Sequence, residues 1–131
     1  MPDFIVAHSL SDIKQQLELA KAAHRPVLLD FYATWCADCV AMDHQLFSKP
    51  TVQQALHSFI LLRADISENT TEQGELLKHF NVMAPPTILF FNHTGKEVAE
   101  KRIVGETNTQ DFMARLKTTS PNGLRNPREV C

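Results

Sequence analysis

The stretch VLLDFYATWCADC, from Val27 to Cys39, decides the fold class of this 131-residue chain. Its first six residues are apolar apart from Asp30, and a run without alternation predicts a strand that is buried on both faces. Cys36 and Cys39 follow with two residues between them, and a helix is expected to begin near Cys36. The sequence therefore predicts a dithiol at the point where a central strand leads into a helix.

The composition describes one globular domain. Hydrophobic residues make up 44% of the chain and charged residues 21%, and the formal net charge is −2. No basic stripe favours nucleic acid, and no apolar run approaches the roughly 20 residues that span a bilayer. We therefore expect that this chain binds no nucleic acid and inserts no part of itself into a membrane. We also expect a monomer.

The elements around the junction predict an α/β fold. Further strands are predicted at residues 4–6, 59–64, 87–91 and 98–104. Helices between the first strands imply parallel pairing, whereas a turn signal at residues 93–96 implies an antiparallel hairpin at the end of the sheet. We expect a single domain over residues 1–117 and a polar, mobile tail over residues 118–131.

The spacing of Cys36 and Cys39 suits reversible disulfide chemistry. The attacking species is a thiolate, and the unpaired N–H groups at a helix start favour a negative charge on Cys36. Cys36 is therefore predicted to attack a partner disulfide, and the more buried Cys39 to resolve the mixed disulfide. The alternative is half of a zinc site, which only Cys131 and dispersed histidines could complete. The position after a strand favours the redox interpretation.

Three acidic residues lie near the dithiol in sequence. A buried Asp30 has a raised pKa and can take the proton of Cys39, although an exposed acid at the strand end is the alternative. Asp38 and Asp43 can oppose thiolate formation by like charge, which makes the reduced protein a better electron donor. For both of these, a solvated helix face is the alternative.

Two further segments are candidates for docking a partner. Pro86, preceded by Ala84 and Pro85, stands just before a predicted central strand, where a cis bond exposes a backbone edge. A plain loop before the strand is the alternative. Trp35 is predicted to cover the dithiol or to form a docking surface, although it could also pack in the core.

These motifs resemble the thioredoxin superfamily. The resemblance rests on residues 30–39, on Pro86 with Thr87 ahead of a strand, and on Gly105 ahead of the last helix. It implies a three-layer sandwich with a mixed five-stranded sheet, and a cis Pro86 that faces the dithiol. The docking residues that it implies are Trp35, Ala84, Pro85, Pro86 and Gly105. It also implies no cofactor or metal besides the redox-active disulfide.

Within this superfamily, the chain resembles the C-terminal domains of the DsbD family of membrane thiol:disulfide interchange proteins. The similarity rests on residues 31–36, 47–56, 76–82 and 86–91. It implies a periplasmic reductase domain of an inner-membrane protein, which takes electrons from a transmembrane domain and passes them to an N-terminal domain. It also implies a link to cytochrome c biogenesis, and acids at the positions of Asp30 and Asp43.

The chain also departs from the superfamily pattern. Ala37 and Asp38 replace the Gly-Pro pair of ordinary thioredoxins, and Val40 replaces a common basic residue. Pro85 has no N–H, so we expect a partner to lose one backbone hydrogen bond there and to rely on apolar contact. A complex that docks away from Pro85 would refute this expectation.

Two other functions remain open on the sequence. One is a free-standing thioredoxin-like reductase, which would be cytoplasmic, and the other is a non-catalytic binding module with the same fold. Cys131 is interpreted as an accidental tail residue rather than a third redox centre.

Overall fold

The structure is a computed structural model, and it describes residues 1–117. The strands are β1 (Ile5–Ala7), β2 (Val27–Tyr32), β3 (Ile60–Asp65), β4 (Thr87–Phe91) and β5 (Ile103–Val104). The helices are α1 (Leu10–Ala22), α2 (Ala37–Met42), α3 (Pro50–Ala55), α4 (Thr71–His79) and α5 (Thr109–Lys117). A π-helical turn, Asp43–Phe47, continues α2, and a 3₁₀ turn, Ala99–Lys101, precedes β5. The predicted tail, including Cys131, lies outside the described residues.

The five strands form one mixed sheet in the order β1-β3-β2-β4-β5. The β3 strand runs parallel to both β1 and β2, whereas β4 runs antiparallel to β2 and to β5. The predicted α/β class is therefore confirmed, as are the parallel first half and the terminal hairpin. The register pairs Asp30 of β2 with Arg63 of β3, so that two charged residues are neighbours in the centre of the sheet.

The sheet separates two hydrophobic cores. Residues of β2 alternate between them, because successive side chains of a strand point to opposite faces. Leu29 packs against α1 and α4, and we call this side the first face. Leu28 packs against α2, α3 and α5, and we call this side the dithiol face. By the same alternation, Asp30 and Arg63 point toward the dithiol face.

Local signals in the sequence define where the helices begin. Ser9 caps α1, where its hydroxyl accepts a hydrogen bond of 3.1 Å from the Asp12 N–H. Thr70 and Gln73 form a reciprocal capping box at the start of α4. Pro50 occupies the first turn of α3, where its missing N–H costs no helical hydrogen bond. Among residues 1–117, no helix combines the length and the apolar character that crossing a membrane requires.

The predicted edge strand at residues 98–104 is largely wrong. Of this segment, Ile103–Val104 forms the strand that pairs with β4, and the Val98 N–H donates to the Phe90 carbonyl at 2.8 Å, but Ala99–Lys101 forms a 3₁₀ turn. Arg102 pairs with Glu97 at 2.6 Å and also donates to carbonyls just beyond the end of α4. Because these contacts fold residues 97–102 into a turn, the charged residues of this segment do not extend the strand pairing with β4.

Candidate active site

The two cysteines of the central motif form a disulfide at the start of α2. The Cα atoms of Cys36 and Cys39 are 5.2 Å apart, and both residues are buried among Ala33 and Ile66. Cys36 is the N-cap of α2, and its Sγ accepts a hydrogen bond of 3.2 Å from the Cys39 N–H. The same N–H can stabilise a thiolate on Cys36 after reduction, because it favours negative charge on that sulfur.

Trp35 is exposed beside the disulfide and is held by the loop after β3. Its exposed fraction is 54%, and its indole Nε1 donates to the Ser67 carbonyl at 3.0 Å. The Ser67 hydroxyl accepts a hydrogen bond of 2.9 Å from the Thr34 N–H and donates in turn to Asp65. The ring is therefore positioned at the surface, which contradicts the core interpretation of Trp35.

The proline loop and the Gly105 segment meet at the same end of the sheet. The Pro85–Pro86 bond is cis, as the resemblance implied. The Gly105 N–H donates to the Pro86 carbonyl at 2.9 Å, and Gly105 has a φ of +85°, a conformation that glycine adopts without a steric cost. Thr87, the first residue of β4, pairs with Phe31 of β2, so Pro86 lies at the end where β2 leads toward the dithiol.

Exposed apolar side chains surround this end of the sheet. Besides Trp35, they are Met83, which is 90% exposed, and Val104, which is 76% exposed. Val104 pairs with Thr87, and Met83 precedes the cis peptide bond by two residues. We call these three residues the docking edge. Sequence reasoning missed Met83 and Val104, because the side-chain type alone does not distinguish an exposed apolar residue from a core residue.

A buried ionic cluster lies on the dithiol face. The Arg63 Nε donates to Asp30 Oδ2 at 3.0 Å, and Nη2 lies 2.9 Å from the same oxygen. The two terminal nitrogens also bind Asp43, with Nη1 3.0 Å from Oδ2 and Nη2 2.6 Å from Oδ1. The exposed fractions of the side chains are 4% for Asp30, 9% for Arg63 and 15% for Asp43. One guanidinium therefore bridges a strand and the turn that follows the dithiol helix.

Burial dominates the electrostatics of Asp30. It raises the pKa of this carboxyl to about 7, the charge and hydrogen bonds of Arg63 oppose the rise, and the charge of Asp43 adds to it. Asp30 can therefore gain and lose a proton near neutral pH. The interpretation of Asp30 as a buried carboxyl is confirmed, and its interpretation as an exposed acid at the strand end is wrong.

The two other acids differ in environment. Asp38 lies on the exposed side of α2, and its influence on the dithiol stays a prediction. The Asp43 N–H bonds to the Cys39 carbonyl, so Asp43 stands one helical turn beyond that cysteine. Sequence reasoning missed Arg63. The signal was the single arginine in the predicted buried strand segment LLRAD, since an arginine is almost never fully buried without a paired acid. Within residues 1–117, no group of three or more His, Cys, Asp or Glu side chains is arranged to hold a metal ion.

The mixed sheet, the cis-proline loop and the disulfide at the β2–α2 junction together define a dithiol protein of the thioredoxin fold. A model of the thioredoxin-like family matches residues 8–93, and the chain belongs to this family.

Curated relatives of this chain are thiol:disulfide interchange proteins. The thiol:disulfide interchange protein DsbD of Klebsiella pneumoniae is 41% identical over 114 residues, which are 87% of this chain and 19% of the relative. DsbD of Escherichia coli is 38% identical over 119 residues, which are 91% of this chain and 21% of the relative. The chain thus spans about a fifth of the length of the curated relatives that it matches.

Solved structures agree with this assignment. The oxidised C-terminal domain of Neisseria meningitidis DsbD superimposes with a TM-score of 0.75 at 26% identity, over 88% of this chain and 99% of that domain. A thioredoxin of Thermus thermophilus has a TM-score of 0.72 at 22% identity, over 98% of this chain and 97% of that protein, and this likeness concerns the fold alone. The expected resemblance is confirmed, and together with the disulfide it supports a thiol–disulfide oxidoreductase.

Proposed function

We propose that this chain is a thiol–disulfide oxidoreductase domain that works as a reductant or electron relay for protein disulfides. The observation that carries the proposal is the Cys36–Cys39 disulfide at the start of α2, bordered by the docking edge. A buried carboxyl that titrates near neutral pH, Asp30, supports it from the dithiol face. A structural disulfide requires neither a docking surface nor a proton acceptor.

The reaction proceeds in two exchanges. The Cys36 thiolate attacks one sulfur of the partner disulfide, forms a mixed disulfide with it and displaces the other sulfur as a thiolate, which takes a proton from water. Cys39 then gives its proton to Asp30 and attacks the Cys36 sulfur, which releases the second partner thiolate. The partner gains two electrons, and the Cys36–Cys39 bond forms. Asp43 acts on the same step through its negative charge and its contact with Arg63.

The docking edge offers a partner an apolar contact next to the reacting sulfurs. Trp35 directly precedes Cys36, and Ala84 and Pro85 belong to the loop that ends in the cis bond. Pro85 cannot donate a backbone hydrogen bond, so an extended partner segment gains more from apolar burial here. We propose that Gly105 contributes through the hydrogen bond that holds its segment against Pro86.

The similarity to DsbD also suggests a setting for the reaction. We propose that the domain works in the periplasm as part of an inner-membrane protein, takes electrons from a transmembrane domain and passes them to an N-terminal domain. Its similarity to the Neisseria meningitidis C-terminal domain supports this placement.

Disulfide reduction by defined variants tests the proposal. The reduced chain should reduce insulin disulfides, and Cys36→Ser should abolish the reaction because it removes the attacking thiol. Cys39→Ser should accumulate a mixed disulfide between Cys36 and an insulin chain, since the resolving thiol is absent. Mass spectrometry under non-reducing conditions detects this adduct.

Cys131→Ser is the matched control, because it removes the one cysteine outside the pair. It should reduce insulin at the rate of the parent chain. A parent chain that reduces no insulin would instead indicate a non-catalytic binding module, and full activity in Cys36→Ser would contradict the role of Cys36 as the attacking thiol.

A further inference from the structure

Arg63 makes contacts that the proposed exchange reaction does not yet explain. Its guanidinium uses Nε, Nη1 and Nη2 to bind two carboxylates from different elements, and Nη2 serves both. A fork of this kind fixes the planes of the carboxylates as well as their distances. Arg63 therefore determines where Asp30 and Asp43 stand relative to each other.

Two aromatic rings pack against the guanidinium of Arg63. The centroid of the Phe4 ring lies 4.2 Å from the guanidinium carbon. The centroid of the Tyr32 ring, on β2, lies 4.1 Å from the same carbon. The rings and the 9% exposure of the side chain keep most water from the cation, so that its charge acts through a medium of low polarity. The contacts of Arg63 with the acids are therefore stronger than those of an exposed ion pair.

The cluster is connected to the dithiol by the backbone. Asp43 begins the π-helical turn, and its N–H bonds to the carbonyl of Cys39. Because side chains four residues apart share one face of a helix, Asp43 projects from the Cys39 side. Arg63 thus ties the helix that carries the resolving thiol to the strand that carries Asp30.

We propose that Arg63 is a positioning residue for the exchange reaction, whose fork fixes the carboxylates of Asp30 and Asp43 relative to each other and holds Asp30 in the orientation in which it takes the proton of Cys39. This inference rests on the proposed function. In the resolving step, the S–H bond of Cys39 breaks, an O–H bond forms on Asp30, and the thiolate attacks the Cys36 sulfur. The proton returns to water from Asp30 once the partner has left.

The charged and titratable groups that face this proton transfer come from three elements. They are Asp30 and Tyr32 on β2, Arg63 on β3 and Asp43 in the π-helical turn. Of these, Arg63 is the only cation, and it acts against the effect of burial on Asp30. Its removal should therefore raise the pKa of Asp30 further and move the proton transfer to higher pH.

The test is the titration of Asp30 in the reduced protein. Carboxyl-carbon NMR should place the midpoint of Asp30 about one to three pH units higher in Arg63→Gln than in the parent, the range by which a neighbouring arginine lowers an aspartate pKa. The pH profile of insulin reduction should move in the same direction. Arg63→Lys keeps the charge but loses the fork, so its midpoint should lie between those of the parent and Arg63→Gln.

Arg102→Gln is the matched control, because it removes another ion-paired arginine, one that binds Glu97 rather than the cluster. It should leave both the Asp30 midpoint and the pH profile as in the parent. The inference is overturned if folded Arg63→Gln or Arg63→Lys titrates Asp30 as the parent does, or if the midpoint moves while the pH profile of reduction stays fixed. A parent chain that reduces no disulfide at all contradicts the proposed function instead, which is a separate result.

Discussion

The two faces of the central sheet are built from neighbouring residues of one strand, yet they differ in chemistry. On the first face, Leu29 and Phe31 pack into a core of buried apolar side chains beneath α1 and α4. On the dithiol face, Leu28 is followed by Asp30, which lies in a buried ionic cluster beneath the helix that carries the disulfide. The alternation of side chains along β2 therefore places apolar packing on one face of the sheet and a titrating carboxyl on the other.

The free energy of burying side chains also differs between the two faces. Burial of an apolar side chain stabilises the fold, whereas burial of a carboxyl favours its neutral form and opposes its charge. Arg63 offsets part of this cost for Asp30, but the pKa of about 7 shows that burial has the larger effect. The dithiol face therefore keeps a group that titrates near neutral pH, at an expense of stability that grows above about pH 4 and is complete above about pH 7.

The largest effect is expected from a cavity on the first face. Leu29→Ala should lower the free energy of unfolding by about 2–5 kcal/mol, because it removes a fully buried side chain from a close-packed core. The folded variant should keep the pH profile of insulin reduction, since Leu29 points away from the dithiol. Urea unfolding and the reduction rate at several pH values measure both quantities. A shifted pH profile would contradict the separation of the two faces.

The next effect concerns the pH dependence of stability on the dithiol face. The pKa of Asp30 in the folded chain, about 7, lies above the ordinary value of 3.8, so its contribution to stability is complete below about pH 4 and is lost as the pH rises through 7. Asp30→Asn removes this loss. The stability of the variant relative to the parent should rise between pH 4 and pH 8, by on the order of a few kcal/mol. Urea unfolding across this range measures the difference.

Leu28→Ala is the control for this measurement, because it changes a buried residue of the same strand and the same face without a titratable group. Its loss of stability should be similar at every pH. A difference between Asp30→Asn and the parent that stays constant from pH 4 to pH 8 would mean that Asp30 does not titrate in this range.

Much of this architecture could be predicted from the sequence. The apolar run at Val27–Tyr32 predicted the central strand, and the cysteine spacing predicted the disulfide at the following helix. The resemblance to the thioredoxin superfamily predicted the cis bond at Pro86. The apolar neighbours of Asp30 in the sequence predicted the burial of its side chain. These features depend on local sequence, or on a motif that is contiguous in the chain.

The rest depends on which distant residues meet. The contact between Asp30 and Arg63 is set by the register of β2 with β3, and it joins residues 33 positions apart. The same arginine reaches Asp43, so the environment of that acid could not be inferred from its helix alone. Likewise, the exposure of Met83 follows from the arrangement of the loop before β4, and the turn at Ala99–Lys101 goes with the pairing of Arg102.

The smallest loss of stability is expected from changes to the aromatic rings that contact Arg63 on the dithiol face. Phe4→Leu removes the ring that lies over Arg63 and its edge-to-face contact with Phe47, at 5.3 Å between ring centroids. It should cost about 1–2 kcal/mol in urea unfolding, the typical sum of one cation–π and one aromatic contact. Tyr32→Phe keeps a ring against the guanidinium and should cost less than about 0.5 kcal/mol. Equal losses of stability in the two variants would mean that the Phe4 ring stabilises the fold no more than an aliphatic side chain does. The Arg63 cation would then gain nothing from the face of the ring.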